Sequence, residues 1–208
     1  YSVRGDLLNI PDVELYKDNT IDVHKKVDGT PSIAIIPFKN TGDKDDDFYS
    51  YGISAGIIQT CNQAGIIRVV SIENVKKIKN YDSLLPHDLA KVLSVRYIIT
   101  GSMLKVNDVF EVSIEVYDND FSKVVWSDIF KENWHNLSKI KFKISDGILK
   151  TLDNDHLEYH SVDPIDSRSY EYYLKGKYKY SKRQNSEDTE IARSMFKKSI
   201  KLDSKLID

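Results

Sequence analysis

Residues 32–72 read SIAIIPFKNTGDKDDDFYSYGISAGIIQTCNQAGIIRVVSI, and the fold is decided here. The first seven, 32–38, form an uninterrupted apolar run of β-branched character, which predicts a strand covered on both faces. Such a strand needs crossover helices, and 48–64 supplies one. Phe48, Tyr51, Ala55, Ile58 and Asn62 recur at helical spacing, Ile57 and Cys61 widen the stripe, and the acidic residues 43–47 lie at the helix's positive end. Gly65 is the expected C-terminal cap. Residues 66–72 read as a second buried strand, completing a strand–helix–strand unit with a right-handed crossover.

Working outward, 73–80 and 86–94 read as short helices, the second opened by Pro86. Three strand-like runs follow, YIITGSMLKV from Tyr97, VFEVSIEVY from Val109 and KVVWSDIFKE from Lys123, joined by Asn107-Asp108 and by Asp118-Asn119-Asp120. In the middle run Phe110, Val112, Ile114 and Val116 alternate with polar positions, the mark of an antiparallel meander with one wet face. Asn136 is the expected cap of a helix whose inner stripe is Leu137, Ile140, Ile144, Ile148 and Leu152. Ile35 and Ile114 are expected core residues, and Glu115 a surface one. The predicted class is α/β, a mixed sheet with a strand–helix–strand start and a three-strand antiparallel meander, followed by an all-α hairpin over 167–182 and 187–201 with Ser186 as its second cap.

Composition narrows the function. The 208 residues are 40% hydrophobic, with no run long enough to cross a bilayer, and the net charge of -2 gives no global field for nucleic acid or anionic lipid. That charge is uneven, with 166–208 net basic and the first 165 residues net acidic, so a boundary is expected near Asp163-Pro164. The single cysteine, Cys61, excludes an internal disulfide framework and fits a reducing, cytoplasmic setting. The chain opens at Tyr1 without Met or a leader pattern, so it is expected to be cut from a longer protein, with 1–30 the end of an upstream domain plus a linker, 31–160 the α/β domain and 164–208 the helical one.

Catalytic motifs fail on inspection. Gly52-Ile53-Ser54-Ala55-Gly56 matches the GxSxG elbow, yet its Ser lies within the helical stripe instead of at a turn after a strand, and its glycines are expected to bring the helix close to the sheet. His156 and His160 share a helical face, but Leu157 replaces the Glu that a zinc-binding HExxH requires. Asp43, Asp45 and Asp47 imitate an EF-hand start, with Phe48 in the obligatory Gly position. No phosphate-cradling Gly-rich loop is present in the sequence. We therefore expect no enzyme in this chain, with no catalytic, metal-binding or cofactor-binding residues and no cofactor. Tyr170, Tyr172, Tyr173, Tyr178 and Tyr180 interleave with lysines as a base-stacking surface would, but helical geometry splits them into two faces, with Leu174, Tyr178 and Lys182 together on one, and packing is the expected role.

Residues 32–153, with RVVSIENV, HDLAKVLSVRYIITGSM, VSIEVYD and VVWSDIF in order, resemble the TolB amino-terminal-like domain, Gly101 and Trp126 falling on that family's glycine and tryptophan. The hairpin resembles a tetratricopeptide repeat (TPR) through Tyr172, Gly176, Ala192 and Phe196, with Ser199 and Ser204 in place of the usual Ala and Pro and an insertion expected in the connecting loop. This pairing is similar to the carboxy-terminal region of bacterial class III adenylate/guanylate cyclases and of some transcriptional regulators, and YSVRGD resembles the last strand of a cyclase domain. The resemblance implies a non-catalytic regulatory and protein-interaction module of a bacterial signalling protein, downstream of a cyclase. The alternative is a ligand- or nucleic-acid-binding module of a TPR-containing transcriptional regulator. Tyr172, Tyr173, Gly176, Lys179 and Phe196 are the residues expected to meet a protein partner. A repeat cannot bury its apolar face alone, so the hairpin is expected either to fold back on the α/β domain or to pair with another copy. Membrane contact is not expected, nor is nucleic acid.

Overall fold

The computed structural model of the chain describes residues 30–152 and 165–204. The elements are β1 (Ser32–Ile35), β2 (Lys39–Asn40), α1 (Asp47–Ala64), β3 (Arg68–Val70), α2 (Ile72–Lys77), α3 (Pro86–Leu93), β4 (Tyr97–Val106), β5 (Val109–Asp118), β6 (Lys123–Asn133), α4 (Leu137–Leu152), α5 (Ser167–Ser181) and α6 (Ser186–Leu202). One mixed sheet has the order β3-β1-β4-β5-β6, and β2 pairs with the far half of β4. β1 lies parallel between β3 and β4, whereas β4, β5 and β6 form the antiparallel meander. The α/β class with its helical hairpin is as expected.

β1 is buried on both faces because helices cover both. Ile33 and Ile35 join the larger core with α1 and α4, while Ala34 and Ile36 join a smaller one with α2 and α3. The chain thus leaves β1 for β3 over one face and returns to β4 over the other. Tyr170 and Leu174 of α5 belong to the larger core, so the hairpin folds back on the α/β unit, the first of the two alternatives above.

In β5, Phe110, Val112, Ile114 and Val116 are all buried and Glu115 is exposed. Ile114→Val is therefore expected to cost about 0.5–1.5 kcal/mol, and Glu115→Ala no more than about 0.5 kcal/mol. Urea unfolding decides, and equal losses would mean a register shifted by one residue.

Five local readings change. β3 is shorter than expected, because the Ser71 hydroxyl accepts from the Asn74 amide and draws Ile72 into α2. Asn133, not Asn136, caps the 3-10 turn that leads into α4, and Asn185, not Ser186, caps α6. α1 is buried over most of its circumference: of the predicted stripe Phe48, Tyr51, Ile57, Ile58 and Cys61 are buried and Asn62 is exposed, and Ile53 and Ser54 are fully buried beside them. The connection between α5 and α6 is only 182–185, so the longer spacing from Gly176 to Ala192 is helical on both sides of it.

Gly65 ends α1 at φ 72, as expected of a left-handed cap. Ser94 takes φ 52 at the end of α3. Among the described residues no helix is long and apolar enough to cross a membrane.

Candidate functional site

Ser54 is a structural residue. Its Oγ donates to the Ser50 carbonyl at 2.8 Å and accepts from the Phe38 amide at 2.9 Å, fully buried. This ties the exit of β1 to α1. Gly52 and Gly56 do not approach the sheet as expected. A Cβ at Gly52 would lie 2.5 Å from Leu174 Cδ2 of α5, and one at Gly56 2.7 Å from Lys141 Cδ of α4. The glycines therefore let other helices onto the back of α1. Cys61 is buried, and burial pushes its thiol up to about 12. Asp43 and its neighbours form a capped turn, in which the Asp43 carboxylate accepts from the Asp45 amide. Among the described residues no group of His, Cys, Asp and Glu is arranged to hold a metal ion, and His156 and His160 lie outside the described residues.

The residues expected to meet a partner share the hairpin but not one surface. Gly176 is buried under Phe196, whose ring would lie 2.7 Å from a Cβ there. Tyr173 stacks on the buried Tyr170, with centroids 6.2 Å apart, and touches the Phe196 ring. These three serve the seam between the helices. Tyr172 is half-buried beneath the ammonium groups of Lys175 and Lys198, and Lys179 pairs with Asp188 across the hairpin at 2.6 Å. Ser199, in the position of a usual Ala, exchanges hydrogen bonds with Ser169. Tyr180, Ile191, Ile200 and Leu202 remain exposed.

A cleft opens where the hairpin meets the carboxyl end of β1. It measures about 210 Å³ and is lined by Pro37 and Phe38 after β1, Asp47, Ser50 and Tyr51 at the start of α1, Lys76 of α2, Tyr81 beyond it, and Tyr178 and Lys182 at the end of α5, with Asn40 at the rim. The Lys76 ammonium lies 4.2 Å from the centroid of Tyr51, and Tyr51 meets Tyr178 edge-on at 5.8 Å. Lys182 lies over the Tyr178 ring at 5.8 Å. Burial and the repulsion of Lys182, partly offset by attraction to Glu73, leave the Lys76 ammonium easier to deprotonate than an ordinary lysine. Burial raises the Tyr51 and Tyr178 phenols, the latter with help from Asp47. The Asp47 carboxylate itself is held at 2.8 Å by the Asn40 side-chain amide.

Of these residues, the sequence places Tyr178 and Lys182 on one helical face, but nothing local places Lys76 opposite them. The available signal was topological: ligands of open α/β sheets gather at the carboxyl end of the strand from which connections depart over opposite faces.

Comparison with known proteins gives the family. Residues 29–147 match the model of the HilA/YgeH-like transcriptional regulator, second domain. The chain belongs to this family. No match was found among curated proteins. Solved structures similar to this HilA/YgeH-like domain include TolB from Acinetobacter baumannii, at 20% identity and TM-score 0.48 over 61% of the chain. The lipoprotein GNA1162 from Neisseria meningitidis is similar at 14% identity and TM-score 0.44, over 59% of this chain and 99% of its own. The PelC dodecamer from Paraburkholderia phytofirmans is similar at 18% identity and TM-score 0.40, over 59% of this chain and 89% of its own. The chain spans 29% of the length of the TolB chain it matches. The family match covers β1 to most of α4 and stops before the hairpin, whereas the cleft takes Tyr178 and Lys182 from α5.

Proposed function

We propose that the chain is a non-catalytic regulatory module of a cytoplasmic transcriptional regulator, with α5 and α6 as the first unit of a TPR-like array that receives a protein partner. The observation that carries this reading is the HilA/YgeH-like match over 29–147. It favours the regulator alternative over the cyclase setting that the opening residues suggested. The repeat assignment is supported by Gly176 under the Phe196 ring and by the buried Ala192, since a small residue on one helix facing an aromatic on the other is how such a pair closes. The net charge of -2 gives the chain as a whole no field that attracts DNA, which favours a protein as the partner of the hairpin.

The test is an in-frame deletion of codons 30–204 in the gene that encodes the chain, read by RNA sequencing and by cellular cyclic AMP and GMP. Reproducible change in a defined set of transcripts at constant cyclic nucleotide is expected. Unchanged transcripts, or a fall in either cyclic nucleotide, would overturn the reading.

A further inference from the structure

The cleft at the carboxyl end of β1 gathers two ammonium groups and three phenols from four separate segments, and at its mouth α5 crosses from the hairpin to the α/β unit. Among the described residues neither Lys76 nor Lys182 forms an ion pair with a carboxylate, although most of the partly buried lysines nearby do: Lys105 with Asp46, Lys175 with Glu171 and Lys179 with Asp188. Two like charges held toward one small space repel each other, and each ammonium is instead set over an aromatic ring, Lys76 over Tyr51 and Lys182 over Tyr178. The space between them suits a group that brings negative charge and several acceptor oxygens. The ring of Tyr51, edge-on against Tyr178, fixes the α5 wall. Charged groups of the opposite kind are Asp47, which lines the cleft with one carboxylate oxygen taken up by Asn40, and Glu73, which acts on Lys76 from the same helix.

We propose that this cleft binds the oxyanion head group, phosphoryl or carboxylate, of a small effector, with Lys76 and Lys182 as its paired cationic donors. Its volume of about 210 Å³ is that of roughly seven water molecules, enough for a phosphoryl group with a short attached fragment. Charge-assisted hydrogen bonds from two lysines to one oxyanion are the strong kind and are stronger in a partly dry site. Because Lys76 belongs to α2 and Lys182 follows α5, an oxyanion between them ties the hairpin to the α/β unit. Occupancy then stabilises the docked hairpin by linkage, and with it the surface that the hairpin offers a partner. This goes beyond the regulatory reading and does not depend on it, since binding is measured on the chain alone and its failure leaves the transcript experiment unaffected.

The experiment titrates the 15N-labelled chain with inorganic phosphate, and separately with acetate, at ionic strength held constant with potassium chloride, following amide shifts by NMR. Saturable shifts are expected at Tyr51, Lys76, Tyr178 and Lys182. Lys76→Met and Lys182→Met should each weaken binding about tenfold or more, and Asp47→Asn should tighten it by removing a like charge. Lys179→Met, one turn away on α5, should leave it unchanged, and melting temperatures verify that each variant is folded. Saturation by phosphate alone assigns a phosphoryl ligand, and saturation by acetate assigns a carboxylate. Linear shifts equal to those given by chloride, or saturation indifferent to both Lys76→Met and Lys182→Met, would overturn the proposal.

Discussion

Leu174→Asp is expected to destabilise the whole fold by more than about 4 kcal/mol, through loss of a buried leucine and burial of an unpaired carboxylate. Leu174 is fully buried and its side chain fills the hollow over Gly52 of α1. A carboxylate there would replace a leucine of the larger hydrophobic core, against Gly52 of α1. Helices of 15 and 17 residues are marginal in water once their packing is lost. Because the hairpin shares one core with the sheet, far-UV and near-UV circular dichroism should lose signal together, in a single transition well below the wild-type temperature. Wild-type helicity and melting temperature in this variant would mean that α5 does not lean on α1.

Lys141→Met is expected to stabilise the protein, by about 2 kcal/mol at neutral pH. Lys141 is largely enclosed among α1, α4 and α5, with its ammonium 4.3 Å from the Phe142 centroid and 5.9 Å from that of Tyr170. Burial, and secondarily the repulsion of Lys177, lower it to about 8. A base whose folded value lies below its unfolded value near 10.5 is held charged at a penalty below pH 8. The penalty fades as pH rises from about 8 to about 10.5, because there the unfolded chain binds the extra proton, so this group makes stability climb over that window. Cys61 acts oppositely, since its raised thiol favours the unfolded chain from about pH 9 upward. Both proteins keep Cys61, so the difference between wild type and Lys141→Met isolates the lysine. Urea unfolding at pH 7 and pH 10 should show the advantage of the variant shrinking at the higher pH, and a constant difference would mean that Lys141 titrates as an ordinary lysine.

The strands were legible because burial on one or two faces writes a distinct pattern: the unbroken run at β1 and the strict alternation of β5 both identified the core faces. Errors arose where a side chain decided a boundary. Ser71, Asn133 and Asn185 each cap a helix one to three residues from the position that periodicity favoured, since hydrogen-bond geometry and not apolar spacing sets the end. The glycines of α1 were recognised as packing residues but assigned to the wrong neighbour, because a sequence shows that a helix has a flat side without showing what lies on it. The cleft escaped for the same reason. Lys76 on α2 and Lys182 at the end of α5 are unremarkable surface lysines until the fold brings them to either side of Tyr51.

The central claim is that α5 and α6 form one cooperative unit with the α/β sheet, docked through Gly52, Leu174, Tyr51 and Tyr178. Native-state hydrogen exchange by mass spectrometry, comparing peptides from 167–181 with peptides from 47–64, tests it most directly. Opening free energies that agree within about 1 kcal/mol are predicted, because segments of one cooperative unit open together. A hairpin that exchanges several kcal/mol more readily than α1 would show two independent bodies, and would contradict it.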